Sequence, residues 1–522
     1  MQTYFFEKLR ASLYEQGRMI HVSSILERTA QKYPDHCALE CNDQSLTYHQ
    51  LHQQAMLFGA LLRERNVRIN DRVVLIYENS IEFYIAYFGI WHIGAIVAPL
   101  NTFLHERELV HIINDAKPTA IVMSEPFERR FAALKEKDFN GIACIGDADM
   151  QKIRKHSETV PLSAAVYREP DELVALLYTS GTTGFPKGVM LSSRNILTNL
   201  AQGLCLIAVD KSDKVLAALP LFHSFAQWVC VWAVLFVGGT VIIVPRIERK
   251  SLLDGLRRFP TFIVGVPALY GLFCLMKQIS FDTVRYFVCG GDALPDKIRI
   301  GFELLYRRRL CNGYGLTEAS PFVAINFDDL LLQPNTVGRL AQGLQCKLLD
   351  EQGNAVAPGN KGVLWVKGEN IMLGYYNAPE ATQAVLKDGW LDTGDWAFLD
   401  DEQRLVIAGR SKDLIVHKGI KIYPPEIENI LLSDGAVVQA AVVGQHDESV
   451  GEIPVAFVVL KEGALFDEMH LKAVCQSHLA AYKVPRAIYH VPAHEWPMTP
   501  LKKANKNVLR TWLVSGFPFG TK

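Results

Sequence analysis

The sequence predicts an α/β protein with a large multi-layer N-terminal domain of mixed sheets and crossover helices, followed by a small, mobile α+β C-terminal domain. Its 522 residues are too many for one compact core, and a hydrophobic content of 49% is enough to bury two. Short β-branched segments alternate with helical patterns through the first two-thirds of the chain, which is typical of layered α/β architecture. After about Gly409 the predicted strands become closely spaced, so we predict domains at residues 1–409 and 410–522.

Five strands are predicted in the first domain, each bounded by Gly, Pro or polar turns. They are Arg72–Tyr77, Ala120–Met123, Leu173–Tyr178, Thr261–Val266 and Tyr286–Cys289. The apolar segment Val229–Val244 is interrupted by glycines before it reaches the roughly 20 residues that a membrane-spanning helix needs. It therefore predicts a core helix that ends at the glycines, followed by a strand over Thr240–Val244.

The second domain is predicted from a different sequence pattern, which indicates four closely spaced strands and two short helices. The strands are Leu414–His417, Ile420–Tyr423, Val437–Val443 and Val455–Leu460, and the helices lie around Pro425–Leu432 and Met469–Leu479. The segment Leu399–Lys412, which precedes them, is polar enough to predict a linker between the domains.

Composition and charge restrict the class of partner. With 54 Lys and Arg against 55 Asp and Glu, the chain has a formal net charge of -1 and no field that would gather a polyanion, so nucleic acid is not expected to bind. The 10 cysteines form no Cys-x-x-Cys pair and predict reduced thiols. Charged residues interrupt the N-terminus before any apolar segment of signal-peptide length. We therefore expect a cytoplasmic protein without a secretory leader or a membrane span.

The most informative local segment is a loop rich in Gly and Thr that follows an apolar strand. Its glycines can turn backbone N–H groups inward around an anion, while four hydroxyls and one lysine add donors to phosphate oxygens. The spacing is not that of a Walker A loop. We predict a polyphosphate site here in preference to a flexible surface turn. The residues of this predicted site are Thr179, Ser180, Gly181, Thr182, Thr183, Gly184 and Lys187.

Five further motifs follow in order. They are Asn312–Ser320, Gly389–Asp395, Gly409–Ile415, Lys418–Glu428 and Tyr482–Arg486. With the loop, they resemble the adenylate-forming (AMP-binding) enzyme superfamily, in particular fatty acid:CoA ligases. The resemblance covers nearly the whole chain and implies an acyl-CoA synthetase that uses ATP, Mg²⁺ and coenzyme A.

The resemblance also implies roles for individual residues. Tyr314 would stack on adenine, Thr317 would bind the α-phosphate, and Glu318 with Thr179 would bind Mg²⁺, which prefers hard oxygen ligands. Asp395 would accept hydrogen bonds from both ribose hydroxyls. The remaining residues implied to contact the nucleotide are Gly290, Gly291, Asp292, Asn312, Gly313, Gly315 and Arg410.

Two of these carboxylates have a structural alternative. Asp292 is also placed to act as the N-cap of a helix from Ala293 onward. Glu318 is also placed as an ordinary carboxylate at a helix start, where it would meet the positive end of the helix dipole.

The acyl pocket is implied to contain His223, Phe225 and Val266, although a buried core histidine is an alternative for His223. The neighbouring segments offer no obvious carboxylate to pair an ammonium group, which favours a fatty or aromatic acid over an amino acid. For coenzyme A, the resemblance implicates the turn at Gly419 and Ile420. It also implies a hinge between the domains at Lys412.

One motif departs from the family pattern. Relatives usually carry Pro-x-Thr-x-x-Gly-Lys, whereas Lys502 stands here in place of the Gly. Alignment on Thr499 predicts Lys503 as the catalytic lysine, which would bind the acid carboxylate and the α-phosphate and ease the approach of two anions. Replacement of its role by Lys502, or a solvated basic cluster without a catalytic part, stays an alternative.

The sequence thus predicts an enzyme that converts a carboxylic acid, of the medium- or long-chain fatty acid class, to acyl-AMP with release of pyrophosphate. Transfer of the acyl group to coenzyme A then follows. The predicted catalytic residues are Lys503, Thr317, Glu318 and Lys187. The alternatives are a fatty acyl-AMP ligase that loads an acyl carrier protein, and a non-catalytic homologue that binds nucleotide or lipid. A homodimer is left open.

Overall fold

The computed structural model of the chain describes residues 2–137, 139, 141–156, 164–179, 186–276, 279–327, 331, 335–499 and 503–518. Three sheets lie in the chain up to Arg410, together with a short hairpin near the N-terminus, and a fourth sheet follows Arg410. We call the part up to Arg410 the large unit and the part from Ile415 the small unit. The predicted fold class is confirmed.

The first sheet has seven strands. From edge to edge they are Gly374–Tyr375, Lys187–Ser192, Leu173–Thr179, Ile96–Pro99, Arg72–Ile76, Ala120–Met123 and Ala143–Ile145. The last five strands run parallel, and Lys187–Ser192 pairs antiparallel with both of its neighbours. Thr179 ends one strand and its register partner Lys187 begins the next, so the two ends of the predicted phosphate loop lie side by side.

The second sheet has nine strands, of which the central six are parallel. In order they are Arg339–Leu340, Phe322–Ile325, Cys311–Gly315, Tyr286–Cys289, Phe262–Gly265, Lys214–Ala217, Thr240–Ile243, Cys37–Cys41 and Gln44–Thr47. Because the strands that end at Cys289 and Gly315 are neighbours, the segments that follow them emerge at one edge of the sheet.

The main core lies between these two sheets. Val73 and Leu75 of the first sheet face this core, whereas Val74 and Ile76 face an outer apolar cluster, as the period of two along a strand requires. The helices Tyr48–Glu64 and Ile81–His92 belong to the same core, and every residue of the second helix except Glu82 is buried. A helix without a polar stripe is stable only in such a position.

The third sheet is antiparallel. It contains Gln345–Leu349, Gly362–Lys367, Leu386–Lys387, Trp390–Leu399 and Leu405–Arg410. The linker predicted over Leu399–Lys412 is therefore wrong for most of its length. Asp400 explains why a polar segment folds back here, because its carboxylate accepts hydrogen bonds from the backbone N–H and from Nε of Arg404, each at 2.8 Å. The chain passes to the small unit within residues 411–414.

The small unit combines one mixed sheet with three helices. Its strands, in spatial order, are Ile420–Ile422, Ile415–His417, Gly451–Leu460 and Val437–Asp447, with Ala487–His490 paired in parallel with Gly451–Leu460. Its α-helices are Pro424–Ser433, Glu468–His478 and Lys506–Ser515. The predicted strands and helices of this unit are confirmed, with ends that differ by a few residues.

The remaining helices of the large unit surround its sheets. They are Gln2–Ser12, Ile25–Lys32, Glu106–Ala116, Glu125–Arg130, Ala132–Lys137, Asp147–Lys155, Ser193–Leu204, Ser224–Ala226, Val234–Val237, Arg249–Leu256, Pro267–Leu275, Asp296–Tyr306 and Pro379–Val385, with a π-helix over Gln227–Ala233. Gly238, at φ +92°, ends the helical segment that begins at Gln227, and the strand Thr240–Ile243 follows it, as predicted. Across the part of the chain described here, no helix is both long and apolar enough to traverse a bilayer. All ten cysteines are free.

Candidate active site

The candidate site forms where the strand ends of the second sheet meet the third sheet and the small unit. Gly290 and Gly291 follow the strand that ends at Cys289. A Cβ placed on Gly290 would lie 3.3 Å from the carbonyl oxygen of Gly313 and 3.4 Å from the ring of Phe225. Glycine thus permits a close approach between the predicted adenine-binding segment and the predicted acyl pocket. A Cβ placed on Gly291 would have a side-chain carbon of Val266 as its nearest neighbour, at 3.7 Å.

Tyr314, Asp395 and Arg410 form one group that is joined by a hydrogen bond and an ion pair. The Tyr314 hydroxyl donates to Oδ2 of Asp395 at 2.6 Å, and Nε of Arg410 lies 3.6 Å from Oδ1 of the same carboxylate. Asp395 and Arg410 are direct register partners on adjacent strands of the third sheet. Burial raises the pKa of Asp395, while the charge of Arg410 opposes that shift. The group presents a buried carboxylate with a cation on one side and an aromatic ring on the other.

Thr317 and Glu318 lie in a short 3₁₀ turn, Thr317–Ala319, just after the strand that carries Tyr314. The hydroxyl oxygens of Thr317 and Ser224 are 2.9 Å apart. Glu318 accepts a hydrogen bond from the Tyr375 hydroxyl at 2.9 Å. Burial raises the pKa of the Glu318 carboxyl, while the Tyr375 hydrogen bond and the charge of Arg410 oppose that shift.

Lys187 approaches the same group from the first sheet. Its ammonium lies 5.5 Å from the centroid of the Tyr375 ring, so one tyrosine contacts both Lys187 and Glu318. The register pairing of Val189 with Tyr375 places this tyrosine beside the strand that begins at Lys187. Three separate segments therefore meet at Tyr375.

The geometry also bears on the two structural alternatives. The helix after Asp292 begins only at Asp296 with Pro295 as its N-cap, so the N-cap alternative for Asp292 is wrong. Asp292 accepts instead from the backbone N–H of Ala293 at 2.9 Å. Glu318 lies in a three-residue 3₁₀ turn and not at the start of an α-helix.

His223 precedes the short helix Ser224–Ala226, and its Nδ1 accepts from the backbone N–H of Phe225 at 3.3 Å. Burial lowers the pKa of His223 to about 4, and the positive charge of Lys503 acts in the same direction. The imidazole is therefore neutral near pH 7, which suits a pocket wall for an apolar ligand.

Lys503 is the residue that brings the small unit into the site. Its Nζ donates a hydrogen bond to the carbonyl oxygen of Gly291. Two hydrogen bonds join Lys503 to Thr499, because Thr499 donates its N–H to the Lys503 carbonyl at 2.7 Å and its hydroxyl accepts the Lys503 N–H at 3.2 Å. Burial lowers the pKa of Lys503, and nearby Asp292 opposes that shift. Lys502 lies outside the described residues, as do Ser180, Gly181, Thr182, Thr183 and Gly184.

Lys412 lies in the connection between the units, in the 3₁₀ turn Ser411–Asp413. Arg510 of the last helix donates to Oδ1 of Asp413 at 2.7 Å and so fastens the small unit to this connection. Gly419, at φ +76°, closes the hairpin turn that follows, and Ile420 beside it is 46% exposed. Such an exposed side chain on a tight turn is available to a ligand that approaches from solvent.

Three contacting residues are absent from the sequence prediction. Ser224 lies between His223 and Phe225, which the sequence assigned to the acyl pocket. Its position next to these two residues could therefore have identified it. Asn335 accepts from Nδ2 of Asn312 at 2.8 Å, and Tyr375 contacts Glu318. Neither belongs to a local motif, and each reaches the site only through sheet pairing or a distant loop.

The donor set can be tested against the implied Mg²⁺. Among the described residues, no group of three or more His, Cys, Asp or Glu side chains could hold a metal ion. Mg²⁺ at nucleotide sites takes one or two carboxylates and completes its shell with phosphates and water. The single carboxylate of Glu318 fits such a shared site and does not fit a closed all-protein one.

Family comparisons agree with this architecture of two units around one site. The model described as AMP-binding enzyme matches residues 26–376, and that described as AMP-binding enzyme C-terminal domain matches residues 426–503. The chain therefore belongs to the AMP-binding enzyme family, and the resemblance inferred from its motifs is confirmed.

Two individual relatives are named as long-chain-fatty-acid–CoA ligases. The chain is 31% identical over 505 residues to a long-chain-fatty-acid–CoA ligase of Salmonella typhimurium, covering 89% of this chain and 90% of the relative. It is 32% identical over 506 residues to the Bacillus subtilis ligase of that name, with coverage of 89% and 90%.

Solved structures show the same arrangement. ATP-bound MatB from Rhodopseudomonas palustris has a TM-score of 0.86 and 28% identity, covering 95% of this chain and all (100%) of MatB. The o-succinylbenzoate CoA synthetase of Bacillus subtilis, in complex with its acyl-adenylate intermediate, has a TM-score of 0.83 and 26% identity, with coverage of 93% and 98%.

Proposed function

We propose that this chain is an AMP-forming acid–thiol ligase that converts a medium- or long-chain fatty acid to its coenzyme A thioester. In the first step the acid carboxylate attacks the α-phosphorus of ATP, giving acyl-AMP and pyrophosphate. In the second, the thiol of coenzyme A attacks the acyl carbon, and AMP leaves. The observation that carries the proposal is the contact of Lys503 with Gly291, because it joins a cation of the small unit to the nucleotide-binding edge of the large unit.

The first step requires two anions to approach each other. Arg410, Lys503 and Lys412 supply positive charge here, and each of these charges lowers the pKa of Asp395. Fixed positive charge at the point where the carboxylate meets the α-phosphate lowers the barrier, because the protein does not have to reorganise during the reaction. Thr317, held by Ser224, is placed to donate a hydrogen bond to the α-phosphate.

The nucleotide would be held by the three segments that converge on this edge. Tyr314 offers its ring to adenine, and the Asp395 carboxylate offers lone pairs to the ribose hydroxyls. Glu318 would hold Mg²⁺, which supplies charge neutralisation on the phosphates when bound. Lys187 and the loop 180–184 would bind the outgoing pyrophosphate.

The acid is assigned by the chemistry of the pocket and by the relatives. Phe225, Val266 and a neutral His223 offer an apolar wall beside Gly290 and Gly291. Such a wall favours burial of a hydrocarbon chain and disfavours a charged substituent. The names of the Salmonella typhimurium and Bacillus subtilis ligases point in the same direction.

Coenzyme A is the proposed acceptor, with the turn at Gly419 and Ile420 as its docking point and Lys412 as the hinge that brings this turn to the site. A cytoplasmic location is proposed with it, because ten free thiols suit a reducing compartment.

The proposal is tested by pyrophosphate release from ATP and Mg²⁺ over a panel of acids of increasing chain length, followed by mass detection of the thioester after addition of coenzyme A. Release that peaks with medium or long chains, and an acyl-CoA product, would support it. Acyl-AMP that reacts with a carrier protein but not with coenzyme A would assign the chain to acyl-AMP ligases. No release with any acid would contradict the proposal and favour a non-catalytic homologue.

A further inference from the structure

Lys297 is one of several cations that join the two units, and no motif contains it. Lys297, in the first turn of the helix Asp296–Tyr306, donates from Nζ to the carbonyl oxygen of Asp434 at 2.9 Å and to that of Val437 at 2.8 Å. Both acceptors belong to the small unit. Lys297 thus bridges the large unit to two backbone positions of the small unit by charge-assisted hydrogen bonds.

One acceptor lies at the end of a helix, and the other begins the strand Val437–Asp447. Asp434 is the C-cap residue of Pro424–Ser433, where backbone carbonyls lack partners within the helix and the helix dipole favours a positive charge. Lys297 therefore supplies, from the large unit, a cation of the kind that a helix C-terminus attracts. The contact holds only while the small unit lies in the orientation seen here.

The opposite end of the same helix lies next to the connection between the units. Gly409 is one residue before Arg410, where the third sheet ends. A Cβ placed on Gly409 would be 3.5 Å from Cδ of Pro425. A helix of this length spans about 15 Å. Contacts near the connection can persist while the small unit rotates about it, whereas the contact at Asp434, at the far end of the helix, cannot.

Lys297 also lies close in sequence to the carbonyl that Lys503 contacts. Gly291 and Lys297 belong to one segment that leads from the strand Tyr286–Cys289 into the helix Asp296–Tyr306. The small unit is therefore joined to this segment twice, through its own Lys503 at Gly291 and through Lys297 at Asp434 and Val437.

We propose that Lys297 is a positioning residue that holds the small unit in the orientation in which Lys503 reaches the active site. It acts through Lys503 and not on the substrate. The proposal rests on the proposed function for its kinetic consequence, because acyl-adenylate formation needs Lys503 in place while attack by the thiol does not.

The first test reads the docking itself and does not depend on activity. An amine-acylating reagent is applied to the full chain, and the labelling rate of Lys503 is followed by mass spectrometry in the wild type and in Lys297→Met, which keeps the aliphatic stem but removes the charge. We expect Lys503 to be labelled about five times faster in Lys297→Met, because loss of the contact lowers the docked population. Lys297→Arg, which keeps a donor cation, should restore most of the protection.

The matched control is Lys367→Met. Lys367 donates to the carbonyl oxygen of Asp388 at 2.9 Å, a lysine–carbonyl contact that lies wholly within the large unit. Its removal should leave the labelling of Lys503 unchanged. An unchanged rate in Lys297→Met as well would overturn the proposal, whether or not the chain proves to be a ligase.

The second test is a double-mutant cycle on the half-reactions. Lys297→Met should slow pyrophosphate release about fivefold to tenfold, the scale of one weakened charged contact, and should leave the reaction of supplied acyl-adenylate with coenzyme A unimpaired. In a Lys503→Ala background the same substitution should have no further effect, because its route of action is gone. Equal losses in both backgrounds, or equal slowing of both half-reactions, would show a general structural role and contradict the proposal. A wild type that releases no pyrophosphate would instead contradict the proposed function, while the labelling result stands.

Discussion

The large and small units contribute to the candidate site in different ways. In the large unit, Thr317 and Asp395 are 9% and 7% exposed and are fixed by strands and turns that the core supports. In the small unit, Lys503 reaches the site and is joined to Thr499 by two hydrogen bonds. A group fixed in the core can bind a ligand in every state of the protein, whereas a group on the small unit acts only while that unit is docked. The contributions of the two units are thereby separable by mutation.

The largest expected effect is in the large unit. Glu318→Ala should abolish adenylation, with a loss of about 3 kcal/mol or more in transition-state stabilisation, because the phosphate charge is no longer compensated through a metal ligand. The measurement is pyrophosphate release as a function of Mg²⁺ concentration, with thermal unfolding as a check on the fold. Tyr375→Phe removes only the hydrogen bond to Glu318 and serves as a milder comparison. Undiminished release by Glu318→Ala at low Mg²⁺ would refute the assignment.

In the small unit, Lys503→Ala should reduce acyl-adenylate formation by roughly a hundredfold, the usual scale for one electrostatic contact in an active site. Supplied acyl-adenylate should still react with coenzyme A, because binding residues of the large unit are intact. Single-turnover assays of the two half-reactions measure the difference. If Lys502→Ala is inactive and Lys503→Ala is normal, the alignment on Thr499 is wrong by one residue.

The connection between the units provides a third comparison. Lys412→Pro fixes φ at a value that a 3₁₀ turn accepts, so the orientation seen here should persist while rotation is restricted. Thioester formation should then slow by about tenfold more than adenylation, since gating motions are often limiting. Burst and steady-state rates of acyl-CoA formation give the ratio. Equal slowing of the two steps would argue against a hinge at Lys412.

A fourth comparison concerns the free energy of unfolding and its dependence on pH. Burial lowers the pKa of His21, His52 and His92, all in the large unit, to about 4. A depressed pKa means that the unfolded chain binds more protons, so stability is complete above pH 6.5 and is lost as the pH falls toward 4. At pH 5 each such histidine costs about 2 kcal/mol of unfolding free energy.

The substitution His52→Leu tests this origin, because both ring nitrogens of His52 are buried without a hydrogen-bond partner. Denaturant unfolding at pH 7 and pH 5 should show a smaller pH dependence in the variant. The exposed His446→Leu is the control and should keep the wild-type pH dependence. The same pH dependence in all three proteins would exclude His52 as a contributor.

Local patterns predicted the strands well, because β-branched segments bounded by turn residues are decided by nearby residues. The linker prediction for Leu399–Lys412 was wrong because the order of this segment depends on a partner strand and not on nearby residues. Its polar residues close a hairpin whose partner strand supplies the order, and polarity alone does not distinguish a tight turn from a linker. Among site residues, Tyr314, Asp395 and Arg410 belong to motifs and were predictable as a group. Their mutual geometry was not, since it depends on the third sheet.

The contacts of Tyr375 and Lys297 could not be predicted from local sequence patterns. Tyr375 reaches Glu318 from a two-residue edge strand, and Lys297 acts on backbone carbonyls that lie more than a hundred residues away in the chain. Neither carries a spacing that would single it out. Only the assembled sheets and the docked small unit bring these side chains to their partners.

The pairing of Asp395 with Arg410 has a consequence for synthesis on the ribosome. The phosphate loop and the segment around Gly290 are translated long before this hairpin of the third sheet, and the Tyr314 hydroxyl finds its carboxylate only when Asp395 has emerged. Domains generally fold as units as they leave the ribosome. Under the proposed function, a nascent chain that carries the loop but not this hairpin lacks the carboxylate proposed to bind the ribose, and we expect it not to turn over ATP before the small unit exists.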